Sequence, residues 1–327
     1  MKRFLIRVTV FTVVVYGLAW GMDYAISKGL LKMEDYRFMS WNEMMQGNIN
    51  ADVVVVGNSR GFSHFEPWTI DSICGMRAYG LGLGGYSITV ETLKYYCYRL
   101  YNKKPKYIIQ NVDYSTMRDD SAPHNHESEQ FLPLIYDKRM HGQLLRVGYS
   151  PLDVYLPLYR YFGYQMVIKN GLFEFFGLKH YVNNPSRDGH HYEIGPWDGS
   201  ELEKMDTIEA TMDVVGKRHF EEYMQECYDE GVKVVLVNSP VYAGATRKTN
   251  GLEAVNAYFD SIAHKYNTVY LNYTEDYSIC EDTANFCVSV HMNPSATHRF
   301  SVDFANDLNR LIATDTLNKL GKNKDIG

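Results

Sequence analysis

The run Val53-Val54-Val55-Val56 followed by Gly57-Asn58-Ser59-Arg60-Gly61 constrains this chain more than any other stretch. Four β-branched residues make an apolar run too short for a helix, and the run lacks the alternation of a strand wetted on one face. It predicts a central strand of a parallel sheet, buried on both faces, that stops abruptly in a Gly-Asn-Ser turn. In open α/β sheets, ligands gather beyond the carboxyl ends of the strands. A hydroxyl set there by a tight turn, at the start of a helix, stands where a nucleophile would. Ser59 would serve equally as an ordinary helix cap.

Downstream the pattern repeats. Arg77-Ala78-Tyr79 leads into Gly80-Leu81-Gly82-Leu83-Gly84-Gly85, where glycine density lets backbone amides approach a ligand or take positive φ. Ser87 or Thr89 can cap the next helix, with Leu93, Tyr96, Cys97 and Leu100 at helical spacing. Strands are expected at 106–110, delivering Asn111-Val112-Asp113 to its tip, at 232–237, ending in Asn238-Ser239-Pro240, and at 268–271. Helices are expected at 205–230, 252–266 and 295–313, the last with Phe300, Phe304, Leu308 and Leu311 on one face. The sum is an α/β fold: a five-stranded parallel sheet with helices on both faces. Between about 114 and 200 the alternation lapses into a stretch rich in Tyr, Phe, His, Pro and Asn. It is expected to be an insertion within one domain over 25–327, covering or lining the site.

The N-terminus carries Lys2, Arg3 and Arg7 and no acid, then fifteen uncharged residues from Val8 to Met22. Phe4 to Met22 is long enough to span a bilayer with Arg7 snorkelling to the headgroups. Residues 1–24 are therefore expected to be a membrane anchor or a signal segment, small residues at Gly17, Ala19 and Gly21 keeping cleavage open. Positive charge on the leading side puts the main body outside the cytoplasm. A net charge of −6 without a basic run argues against nucleic acid as a partner. The 27 tyrosines suit sugar-contacting walls and plain packing alike. Cys74, Cys97, Cys227, Cys280 and Cys287 form no CxxC pair, so no zinc cluster is expected; Cys280 and Cys287 are either bridged or two small unpaired apolar residues. His124-Asn125-His126-Glu127 and His190-His191 are expected to be solvated loop residues rather than metal ligands. No metal or cofactor is expected, and the glycine-rich turn lacks the Lys-Ser/Thr ending of a nucleotide-binding loop.

One more feature precedes the last helix: Val288-Ser289-Val290-His291-Met292-Asn293-Pro294. An imidazole there can reach across the carboxyl edge of the sheet. Acyl transfer needs a hydroxyl, a base within hydrogen-bond reach and donors for the developing oxyanion. Ser59, His291, the Gly85 amide and the Asn111 side chain supply one each.

These residues resemble the motifs of the SGNH (GDSL-like) hydrolase superfamily. Gly57-Asn58-Ser59 is similar to its Gly-Asp-Ser block. Gly80 to Gly85 is similar to its Asn-x-Gly-x-x-Gly block without the asparagine, and Gln110-Asn111-Val112-Asp113 loosely follows Gly-x-Asn-Asp. His291 matches the histidine of Asp-x-x-His, but Val288 stands where the family has its aspartate. The resemblance runs from about Asp52 to Ala313. It implies a three-layer, flavodoxin-like fold and a serine esterase or O-acetyltransferase, as in anchored members that modify polysaccharides. The implied substrate is an acylated glycan or a small ester. By that resemblance Ser59 is the nucleophile and His291 the base, while Ser59, Gly85 and Asn111 form the oxyanion hole. Asp282, Glu281 or another acid would have to replace the aspartate that orients the histidine. Arg60 would bind an anionic substrate group or pair with an acid, and Asp113 is a turn residue or a reserve acid. The loss at Val288 also keeps open a catalytically silent protein that binds glycan or an envelope partner.

Overall fold

A computed structural model describes residues 1–118, 128–179, 181, 184–275, 277–314 and 316–317. The chain divides into two units, Met1–Glu43 with Ser121–Ser186, and Met44–Asp120 with Arg187–Gly327. The stretch expected to be an insertion in a single domain thus joins the N-terminal segment in a unit of its own. Its first residues, 114–118, and its last, 187–200, belong to the other unit.

The first unit is built on α1 (Lys2–Leu30), a 29-residue helix long and apolar enough to cross a membrane. Its leading part is bare, with Phe4, Phe11 and Leu18 all more than half exposed, whereas Asp23, Ile26, Ser27 and Leu30 are buried. The helix Gln165–Phe175 packs against this buried part so closely that no side chain fits at Gly29, where the Gly171 carbonyl lies. Asp23 is fully enclosed and forms an ion pair with the equally buried Arg160. It also accepts hydrogen bonds from the Tyr136 hydroxyl and, at 2.7 Å, from the Leu158 N–H.

The second unit holds the expected sheet: β1 (Val53–Val56), β2 (Ala78–Gly80), β3 (Tyr107–Asn111), β4 (Lys233–Asn238) and β5 (Tyr270–Asn272). All neighbours are parallel, in the order β2-β1-β3-β4-β5, with Val53 beside both Ala78 and Tyr107, and Ile109 beside Val235. This is the flavodoxin-like order, whose switch point falls between β1 and β3. Helices α2 (Ser59–Ser63), α3 (Pro67–Cys74), α4 (Ile88–Tyr101), α5 (Val214–Asp229), α6 (Leu252–Lys265) and α7 (Pro294–Ala313) belong to the same unit.

Why the valine run is continuous follows from the layers. Side chains alternate across a strand, so Val53 and Val55 join Ile109, Val235 and Val237 on the face covered by α3 and α7. Phe65 packs edge-on against Phe300 and Phe304 there, ring centroids 5.3 and 5.1 Å apart. Burying each such phenyl stabilises the fold by about 1.5–3 kcal/mol. Val54 and Val56 face the other layer, where α4 and α5 meet through Tyr95 and Tyr223, and α5 meets α6 through Phe220 and Phe259.

The helix expected over 205–230 begins only at Val214. Before it, Ile208–Glu209 forms a short parallel pair with Thr249–Asn250, the Ile208 N–H donating to Lys248 O at 2.9 Å. Pairing with a distant segment thus overrides the local helical pattern. Gly216 then lets α5 sit directly on the Met117 backbone.

Candidate active site

The turn after β1 is shaped by close approach. Gly57 has φ +147°, and a Cβ on it would stand 2.8 Å from Asn111 Cβ. Asn58 follows as the cap of α2, its Oδ1 accepting the Arg60 N–H at 3.0 Å. Ser59 is thereby the first residue of α2, half-buried, with a backbone N–H that has no carbonyl to meet within the helix.

Across the edge of the sheet, the short strand His291–Met292 pairs antiparallel with Phe286–Val288, just before α7. Asn293 caps that helix through the Ala296 N–H at 3.0 Å, with Pro294 at its first position. These constraints bring His291 Nε2 to 2.8 Å from Ser59 Oγ, across 232 residues of chain. With the proton on Nδ1, Nε2 accepts from the hydroxyl. Burial and the nearby Arg60 charge, opposed by Asp113, hold the imidazole down at about 4, so it is a neutral base at pH 7.

His64 braces this ring from below. It is fully buried, its Nδ1 is 2.9 Å from Ser239 Oγ, and its Nε2 accepts the Met292 N–H at 3.3 Å. The His64 and His291 rings meet edge to face, centroids 6.1 Å apart. Burial, with the His291 and Arg60 charges, holds His64 well below its ordinary value.

Among the described residues no carboxylate lies within 4.0 Å of a His291 ring nitrogen. Asp282 does not fill that role: it is exposed and caps the turn at 283–285, accepting the Ala284 N–H at 2.9 Å. Glu281 is exposed and faces Arg247 at 3.7 Å. Val288 lies directly opposite His291 in the short antiparallel pair.

Behind Ser59 is a polar lattice. Arg60 is buried and donates through Nε to Asp113 Oδ2 at 3.1 Å, and through Nη1 to Asn238 Oδ1 at 3.1 Å and Ser239 O at 2.8 Å. Asn58 Nδ2 donates to the same Asp113 oxygen at 2.8 Å. Burial alone would raise the Asp113 carboxyl; the Arg60 charge and hydrogen bonds from Ser115, Asn58 and Arg60 bring it down to about 2. Of the two forms expected of it, Arg60 takes the acid-pairing one, with its guanidinium held by Asp113. Asp113 is the turn residue, its Oδ1 capping Ser115 and Thr116.

The glycine-rich segment comes up beside Ser59. Gly82 lies on the Gly61–Phe62 backbone, where no side chain fits, and a Cβ on Gly84 would stand 3.9 Å from Ser59 Cβ. The next residue, Gly85, is exposed and has φ +80°. Asn111 is placed differently from expectation. It is fully buried under the turn, its Oδ1 accepts the Ser239 N–H at 3.3 Å, and its Nδ2 is 3.5 Å from Asn58 Oδ1. It braces the tips of β1 and β4 rather than offering its amide to an oxyanion, because the close approach of Gly57 covers it.

Ser59 opens on a cleft of about 330 Å³. Asn58, Arg60, Asp113 and Asn238 form its polar floor, and Ile208, Val241, Ala245, Leu252 and Val290 line its apolar walls. Asn238, Ser239 and His64 were not singled out as site residues. The available signal was the Asn238-Ser239 pair at a strand end, which repeats the Asn58-Ser59 pattern after β1.

Other expectations resolve as follows. His190 is buried, not solvated: its ring packs edge-on between Trp68 and Tyr192, because the Gly189 backbone lies against Gly80. His191 stacks on Phe62 at 5.9 Å. His124, Asn125, His126 and Glu127 lie outside the described residues. Cys280 and Cys287 are free, so the bridge left open by the sequence is not formed. Comparison of the chain with family models, with curated proteins and with solved structures returns no match.

Proposed function

We propose that this chain is a membrane-anchored, extracytoplasmic serine esterase or O-acetyltransferase of SGNH type, acting on acyl esters, in particular those of a cell-envelope or exported glycan. The contact of 2.8 Å between Ser59 Oγ and His291 Nε2 carries the reading. A hydroxyl that lines a cleft of about 330 Å³ meets a neutral imidazole at the carboxyl edge of a parallel sheet. Three cationic residues at the leading end of α1, before its uncharged stretch, support the anchored, exported location.

In this chemistry Ser59 Oγ attacks the ester carbonyl as its proton passes to His291 Nε2. The oxyanion forms against the Ser59 and Gly85 amides. Collapse of the tetrahedral species breaks the bond to the alcohol oxygen, which takes the proton back from His291 and leaves an acyl-Ser59 ester. Water then releases the acid, or a sugar hydroxyl takes the acyl group, with His291 again moving the proton.

The second reading is a catalytically silent protein that binds glycan or an envelope partner, favoured by Val288 opposite His291 where a carboxylate would steady the imidazolium. A fluorophosphonate probe separates the two. Labelling of the full chain that disappears in Ser59→Ala, with hydrolysis of an aryl acetate, supports the enzyme. A folded chain that neither labels nor turns over the ester supports the binding protein.

A further inference from the structure

We propose that the unit built on α1 carries a collar of exposed apolar side chains that seats in the interface of the membrane α1 crosses; this rests on α1 being a retained span. Phe4 to Met22 provides 19 residues, about 28 Å of helix against a hydrocarbon core of about 30 Å. Asp23, the first acidic residue, falls where that core ends.

Whatever bonds to Asp23 shares its depth. The Leu158 N–H, the Tyr136 hydroxyl and the Arg160 guanidinium all do so. Beside them the chain exposes Tyr155, Leu156, Tyr159, Phe162 and Met166, with Phe162 91% and Met166 63% exposed. From 154 to 168 the only charged residue is Arg160, and it is buried against Asp23. A contiguous apolar segment without an exposed charge is a poor water-facing surface. Trp20 and Tyr24 on α1 pack against Tyr136 at the same level, ring centroids 6.2 and 6.1 Å away. Tyr and Trp rings at headgroup depth satisfy an apolar body and a polar tip at once.

The polarity of the unit provides an internal control. The helix Gln165–Phe175 runs away from the collar: Gly171 lies at Ile26, and Lys32 Nζ sits over the Phe175 ring at 5.8 Å. Phe176, 69% exposed, is therefore near Lys32, beyond the end of α1 at Leu30, which itself lies about 10 Å along the helix from Asp23.

The test replaces Tyr159, Phe162 or Phe176 singly with the photocrosslinker benzoylphenylalanine in the full chain. Each protein is reconstituted in phosphatidylethanolamine–phosphatidylglycerol vesicles, irradiated and measured by mass spectrometry. Lipid adducts at 159 and 162 at least ten times more abundant than at 176 are expected. An intact chain held in the vesicles, with no lipid adducts at 162 or with equal adducts at all three positions, overturns the collar and leaves the anchor standing. Adducts at 162 to a second polypeptide assign the patch to protein and overturn the lipid. An intact mass lacking α1's apolar segment overturns anchor and collar together.

Discussion

Arg60 and Asp113 form a buried ion pair immediately behind Ser59, the guanidinium donating through both Nε and Nη2 to one carboxylate oxygen. The pair joins the first turn of α2 to the tip of β3, and Nη1 extends it to the tip of β4. Three strand ends are thus held together by one side chain.

Breaking the pair should be expensive in stability. Arg60→Ala leaves Asp113 buried beside no cation, with an expected loss of about 3–5 kcal/mol. Arg60→Lys restores the charge but not the fork that reaches Asp113, Asn238 and Ser239 together, so its loss should be intermediate. Urea unfolding measures both; a loss below about 1 kcal/mol for Arg60→Ala would remove the pair from any structural role.

Ser59→Ala and His291→Ala should each lower kcat for an aryl acetate by roughly a thousandfold or more. The double variant should be no worse than either single one, because the two groups act as a unit. Losses that multiply in the double variant would show that they work independently.

The pH dependence follows from the sign of the shift. His291 is held at about 4 against an ordinary 6.5, so it stays a free base through mildly acidic conditions. The acid limb of kcat/KM is expected near pH 4, and a limb at 6.5 would contradict it. In stability, the unfolded chain binds the proton more readily between those values. Destabilisation therefore begins as pH falls below about 6.5 and is complete near 4, amounting to about 3 kcal/mol for this group. His190, also held at about 4 by burial, and His64, held well below its ordinary value, add in the same direction as pH falls. Chemical unfolding at pH 7 and pH 4.5 measures the sum.

Val288→Asp tests what the missing carboxylate costs. Residue 288 is directly opposite His291, so the two side chains share a face at a separation of about 5 Å. The added charge should move the acid limb above pH 4 and raise kcat by tenfold or more, up to the roughly 10⁴ such an acid contributes elsewhere. An unchanged limb together with an unchanged kcat would place the new carboxylate out of reach of Nδ1.

Much of the site was legible because its parts lie at strand ends. The valine run, the Gly57-Asn58-Ser59 turn and the face of Phe300, Phe304 and Leu308 are each local patterns, and each appears where expected. The pairing of Ser59 with His291 was legible only through their places in the order of elements. Asn111 and Asp282 were assigned by proximity in sequence to the right blocks. A side chain's direction depends on what lies over it, and Gly57 covers Asn111 while a local turn holds Asp282. The start of α5 was misread for a related reason: the partner of Ile208 lies some forty residues away, at Thr249.

By itself, then, the sequence determined the alternation of strands and helices, the apolar helix at the N-terminus and the turn that presents Ser59. These are set by neighbours within one or two helical turns or strand residues, whose periodicity is written in the chain. Tertiary structure alone decided that the N-terminal helix and most of the stretch up to Ser186 form a separate unit, that Arg60 pairs with Asp113, and that His291 meets Ser59 with no carboxylate at its ring nitrogens among the described residues. Those outcomes depend on contacts between segments tens to hundreds of residues apart, where packing and the pairing of buried polar groups choose among arrangements that local pattern leaves equally open.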